Sequence, residues 1–256
     1  MTVEHDGAAD IDRALALLWR LRGPHPEPAR GRRPRLDVGR IIEVAIEVAD
    51  AEGLAAASMH RVAKELGAGT MTLYTYVPGK AELLDLMVDQ VLSERRLPGP
   101  GDERPADWRD QVLLYSDRTR AAYRRHPWLR EVSRVRPALG PGHLAGQEYL
   151  LSILDGLGLE PAQVVAAVGG LATYVDANAA LEAESSHLEQ VTGQSADAWW
   201  DQRSVFWGKY FDVGRHPTMA SVWSRGGFEL SAAEQAAQAY DFGLNRLLDG
   251  IGELVA

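Results

Sequence analysis

Two short helical patterns, set one turn apart, limit what this chain of 256 residues can fold into more than any other feature. Ser58 precedes Met59, Val62, Ala63 and Leu66, apolar positions at the spacing of a half-buried helix. Gly67-Ala68-Gly69 interrupts the pattern. Thr70-Met71-Thr72-Leu73-Tyr74-Thr75-Tyr76 follows, and Val77 and Pro78-Gly79 close it. Threonine and tyrosine are mediocre helix formers that favour strands. A two-turn helix built from them has to be held by its neighbours. Leu73 and Val77 are its anchors, and its hydroxyls and rings are left facing outward.

The flanking sequence is helical. Asp37 suits an N-cap, and Val38, Ile41, Ile42, Ala45, Val48 and Ala49 repeat with helical spacing up to Glu52-Gly53. From Lys80 to Leu92, residues Leu84, Met87, Val88 and Val91 share one face. Pro98-Gly99-Pro100-Gly101 is the clearest linker. Beyond it the spacing predicts helices over about 105–125, 127–135, 143–157, 161–190, 196–213 and 231–253, with Pro161 in a first turn and Ser231…Glu234 as a capping box. No segment alternates as a strand does. The expected fold is all-α, in three parts. Residues 1–35 form an extension, with a short helix at 11–22 and a basic arm. Residues 36–97 form a three-helix head with a bridging helix, and residues 98–256 form a helical domain.

Charge separates these parts. The chain carries −9 overall, yet residues 13–80 hold 11 basic and 7 acidic side chains, whereas residues 81–256 hold 16 and 25. A basic module on an acidic protein suggests a local anion-binding surface. Its densest cluster is Arg30-Gly31-Arg32-Arg33-Pro34-Arg35. No run approaches the roughly 18 apolar residues of a membrane span. Acidic residues stand where a signal peptide would be basic, and cysteine is absent, so a cytoplasmic protein without a membrane partner is expected. The seven histidines fall at no short metal spacing, and neither a nucleophile elbow nor a phosphate-cradling loop is present. The sequence thus predicts no catalytic site, metal or cofactor, and an enzyme is the disfavoured class.

Three helices, the last two joined by a glycine turn, describe a helix-turn-helix, whose last helix enters the DNA major groove. Threonine there is short enough to approach a base edge and carries both a hydroxyl and a methyl. Residues 53–91 strongly resemble the DNA-binding domain of the TetR (tetracycline-repressor) family. The resemblance rests on Val62-Ala63, Leu66-Gly67, Thr72-Leu73-Tyr74, Val77 and Lys80 with Leu83-Leu84, and Ala49 to Leu54 extends it backwards. It implies a dimeric regulator, usually a repressor, that binds a palindromic operator in double-stranded DNA. Ser58 and Met59 match positions where the second helix meets the backbone. His60 matches one that reaches a base edge. Thr70, Met71, Thr72 and Thr75 match base-facing positions, Tyr74 and Tyr76 phosphate or sugar positions, and Lys80 a phosphate contact. Arg32, Arg33 and Arg35 could follow the backbone or a minor groove, as arms of other helix-turn-helix proteins do.

The same resemblance makes the remainder a ligand-binding and dimerisation domain. The apolar faces of 161–190 and 231–253 would pair two copies into a homodimer. Tyr115, Thr119, Tyr149, Tyr174, Asn178 and Glu182 correspond to positions lining a pocket for a small-molecule effector. The region 131–140 lacks the family's metal-holding histidine, so an apolar or aromatic ligand is expected rather than a metal chelate. A helix-turn-helix regulator controlled by a protein partner, without a small ligand, is the alternative. An internal cavity of about 300 Å³ or more would separate the two.

Overall fold

The structure is a computed structural model that describes residues 6–20 and 36–255. Its described residues contain α-helices and short 3₁₀ turns and no strand. In chain order the helices are α1 (Asp6–Arg20), α2 (Val38–Glu52), α3 (Met59–Glu65), α4 (Thr70–Tyr76), α5 (Lys80–Glu94), α6 (Trp108–Arg125), α7 (Pro141–Asp155), α8 (Pro161–Thr192), α9 (Ala196–Asp201), α10 (Val205–Lys209), α11 (Pro217–Ser224) and α12 (Ala232–Gly252). By compactness the chain divides inside α8, between Ala180 and Leu181.

In the first unit, α2 to α4 form the head. Asp37 caps α2 by accepting from the Arg40 N–H at 2.8 Å, and Ser58 caps α3 by accepting from that of Arg61 at 3.2 Å. Gly67 lies at φ 63, a left-handed conformation that side chains disfavour and that the turn between α3 and α4 requires. Ile41, Ala45, Val62, Leu73, Val77 and Met87 are buried together in the core.

Helix α5 continues from this head into the following helices. It packs on α2 and on α7, and the Pro98–Gly101 segment lies within the first compact unit. The crossing with α7 is close. A Cβ on Gly142 would lie 2.1 Å from the Asp89 carbonyl oxygen. The buried Asp89 carboxylate accepts from the His143 N–H at 2.9 Å and so caps the start of α7. Helix α1 docks on α5 through Leu17 and Leu18, and the Trp19 indole donates to the Leu139 carbonyl at 3.2 Å.

Two expected helices have a different form. Over 127–135 only Pro127–Glu131 is helical, as a 3₁₀ turn closed by Leu129 N–H to His126 O and Val132 N–H to Leu129 O. The expected 196–213 helix is split into α9 and α10. Arg203 and Ser204 bond three residues back, to Trp200 and Asp201, which preserves the apolar spacing while ending the α-helical ladder. Helix α11 is an addition to the expected set, and Pro217 starts it.

By length and composition α8 also reaches the threshold of a membrane span, with a mean hydropathy of 1.4, contrary to the expectation that no segment does so. Its apolarity comes from alanine, valine and glycine along a helix-packing seam. In the second unit, Trp200, Trp207, Trp223 and Phe228 surround a cavity of about 520 Å³, with Trp207 and Trp223 centred 4.9 Å apart.

Candidate nucleic-acid interface and effector cavity

Helix α4 has a single buried side chain, Leu73, at 0% exposure. The remaining side chains of the helix reach its surface. Met71 is 77% exposed, Thr72, Tyr74, Thr75 and Tyr76 are exposed, and Thr70 is half-buried. The Thr75 hydroxyl rests on the Thr72 carbonyl at 2.6 Å, a local bond that is readily exchanged for an outside partner. His60, exposed on α3, lies beside Thr70, with Nδ1 3.4 Å from the hydroxyl. Lys80 is exposed at the start of α5, where first-turn N–H groups lack intrahelical acceptors and no side chain caps them. Ser58 uses its hydroxyl for the α3 cap. Met59 is only 5% exposed, so its side chain faces the core and the group it offers at the start of α3 is its N–H. Arg32, Arg33 and Arg35 lie outside the described residues. Arg61 is tied down between Glu52 at 2.7 Å and Glu65 at 2.5 Å, and the hydrogen bonds to Glu52 and then Glu65 raise its pKa further.

A cavity of about 460 Å³ opens between α5, α6, α7 and the first part of α8. Apolar and aromatic groups line it, among them Tyr115, Tyr123, Leu129 and Pro137, and Gly169, Ala172 and Ala177 form a smooth wall along α8. Its polar groups include Arg95, Arg134, His143, Gln147 and Asp176. Burial, and then the charge of Asp176, push the Tyr123 phenol up to about 12, and burial raises that of Tyr115, so both stay protonated donors. Burial, then Arg134 and Arg95, hold His143 below the ordinary histidine value. Arg134 pairs with Asp176 at 3.0 Å.

Two family profiles span most of the chain. The profile described as bacterial regulatory proteins, tetR family, matches residues 41–87, and the tetracyclin repressor-like C-terminal domain matches residues 99–255. The HTH-type transcriptional repressor DrrR1 of Streptomyces coeruleorubidus is 40% identical over 258 residues, covering 100% of this chain and 90% of its own. The chain belongs to the TetR family of regulatory proteins. Among solved structures, apo ActR from Streptomyces coelicolor superposes with a TM-score of 0.67 at 29% identity, covering 87% of this chain and 99% of ActR. ActR in complex with actinorhodin gives 0.69 at 28% identity, covering 84% and 95%.

In this TetR-family regulator, Tyr115 lines the cavity while the other five residues expected there lie elsewhere. Thr119 sits behind it, with its hydroxyl 3.3 Å from an Arg95 nitrogen. Tyr149 turns away, its hydroxyl donating to the Gln111 carbonyl at 3.1 Å and its ring under Arg104. Asn178 donates back to the Tyr174 carbonyl at 2.8 Å, and neither it nor Tyr174 or Glu182 lines the cavity. Sequence reasoning missed Arg95, Arg134 and Asp176. The signal available for Asp176 was a carboxylate embedded among the apolar residues of 164–179.

Sequence reasoning also missed a knot of charge that ties the head to the cavity wall. His126, 3% exposed, lies between Asp50 of α2, at 2.9 Å and 3.0 Å, and Glu94 of α5 at 3.3 Å. The Trp128 indole donates to the same Asp50 at 2.8 Å, and Arg125 approaches Glu94 at 3.8 Å. Burial opposes charge on the imidazole, but the hydrogen bonds and charges of Asp50 and then Glu94 outweigh it and raise the His126 pKa. The residues that follow, Leu129, Arg130, Val132 and Arg134, line the cavity.

Proposed function

We propose that this regulator is a cytoplasmic homodimeric repressor that reads a palindromic operator with α4 and leaves it when a small molecule fills the cavity. The observation that carries the reading is the division of α4, with Leu73 buried and Met71, Thr72, Tyr74, Thr75 and Tyr76 presented outward. Threonines face bases, and tyrosines and Lys80 hold backbone. One two-turn helix reads few bases, and two of them about 34–36 Å apart read a palindrome. Val165, Leu181, Leu188 and Val191 on α8 and Phe242 on α12 are exposed in a single copy, as surfaces that pair with a second copy would be.

The cavity of about 460 Å³ supports control by a small molecule over control by a protein partner. The relative complexed with actinorhodin and the relative named a repressor lean the same way. Control would be a linkage effect, limited by the ligand's differential affinity for the two states. Helix α5, with Lys80 at the DNA face and Arg95 at the cavity, is the lever, and the His126 knot joins its far end to α2.

Selection from random duplexes tests this reading. Inverted repeats should be enriched, and affinity for them should fall steeply as salt rises. Failure to enrich any sequence, or binding indifferent to salt, would overturn it.

A further inference from the structure

The effector cavity holds two polar groups whose needs the protein does not meet. The first is Arg95, 5% exposed and the residue that closes α5. Its Nε donates to the Leu92 carbonyl at 3.1 Å, where the negative end of the helix answers part of the charge. Its terminal nitrogens reach two neutral side chains, the Thr119 hydroxyl at 3.3 Å and the Tyr115 phenol, and the guanidinium lies 5.4 Å from the Tyr115 ring centroid. Three arginines and one carboxylate line the cavity. Arg130 lies 3.5 Å from Glu131 and Arg134 lies 3.0 Å from Asp176, whereas Arg95 has no carboxylate partner among the described residues. A buried cation without a counter-ion is costly to the fold. Gly146 makes its position possible, because a Cβ there would lie 2.3 Å from a terminal nitrogen of Arg95.

The second is Asp176. One carboxylate oxygen takes Arg134, and the other is buried with no donor at all. Buried polar atoms are almost always paired, so an unpaired one on a cavity wall marks where a ligand donor belongs. Around these two groups stand Tyr115, Tyr123 and Leu129, and along α8 a wall of glycine and alanine too small to intrude on a flat ring.

We propose that the cavity takes a flat aromatic acid, with its anionic group on the Arg95 guanidinium and a hydroxyl donating to Asp176. A positive cavity in a protein of net charge −9 selects such a ligand by charge as well as shape. The protonated phenols of Tyr115 and Tyr123 add donors to the anion and no competing charge. The proposal rests on the cavity being the effector site, and the test keeps the two apart.

Isomeric hydroxynaphthoic acids, their methyl esters and unsubstituted naphthoic acid are titrated into the full-length wild type, Arg95→Met, Arg95→Lys and Asp176→Asn. Release of a selected duplex is followed in the same samples. In the wild type at least one acid should bind more tightly than its ester by about tenfold or more, as a charge-assisted hydrogen bond provides. Arg95→Met should abolish that preference and Arg95→Lys should keep most of it. Asp176→Asn should erase the advantage of the hydroxy acid over naphthoic acid. Esters binding as well as acids, an acid preference intact in Arg95→Met, or no saturable binding by any acid up to millimolar concentration would overturn the proposal. If Arg95→Met does not fold, the wild-type ratio and Arg95→Lys still decide. Acid binding that leaves the duplex bound would refute ligand release and leave the anion seat standing. Release by esters and acids alike would do the reverse.

Discussion

At the scale of the residue, the proposed interface separates specificity, on α4, from affinity, at the start of α5. Thr72→Ala or Thr75→Ala should change which bases are preferred, with a penalty of about 1–3 kcal/mol for each base that the hydroxyl reads. Lys80→Ala should weaken binding to all duplexes about equally and flatten the salt dependence, because a phosphate contact carries no sequence information. Binding arrays on duplexes with single-base changes would distinguish the two patterns. His126 offers a different test. Folding raises its pKa, so the knot contributes fully below the unfolded value of 6.5 and loses its contribution as pH rises through the folded value. Asp50 and Glu94 remain partly hydrated, so the contribution should be on the order of 1 kcal/mol. The difference in melting temperature between wild type and His126→Gln should therefore be largest in mildly acid buffer and shrink towards alkaline pH. A difference independent of pH would mean that the imidazole acts by shape alone.

At the scale of the element, helix ends and crossings account for most of the architecture. Side-chain caps at Asp37, Ser58, Asp107 and Ser231 start their helices where the sequence places an oxygen before an apolar repeat. The crossing of α5 and α7 depends instead on what is missing. Gly142 leaves room for the Asp89 carbonyl, and Gly140 for the Asp89 side chain. Gly142→Ala should cost about 1–3 kcal/mol by overpacking, because its close neighbour is backbone and cannot step aside. Denaturant unfolding would measure the destabilisation. Because α5 is the proposed lever, duplex affinity should change in the same variant by more than its reduced stability alone predicts.

At the scale of the whole molecule, the positive charge is concentrated in residues 13–35, with seven arginines and one acidic residue, while the head and the remainder are acidic. Exposed apolar side chains on α8 suit association. Leu188→Glu places a charge among them and should shift the protein to monomer in sedimentation. Affinity for an inverted repeat should then fall far more than affinity for a half-site. A dimer that survives this change and Val191→Glu would place the pairing surface elsewhere.

The sequence by itself determined the helical class, most helix starts and the outward face of α4, because helical spacing, caps and the Gly67 turn are local properties. The resemblance of residues 53–91 to the TetR family was legible for the same reason. Its residues are contiguous in sequence, so a local pattern carries them. Only the tertiary structure decided the cavity. Arg95 at the end of α5, Tyr115 on α6, His143 on α7 and Asp176 on α8 are far apart in sequence, and no local period relates them. Nor did spacing reveal that Tyr149 turns away, since that depends on which neighbouring helix reaches it first. The His126 knot joins residues 76 positions apart in sequence, and their meeting is fixed by how α2, α5 and the end of α6 pack. Burial and charge pairing over such distances are properties of the packed chain, which a one-dimensional pattern does not carry.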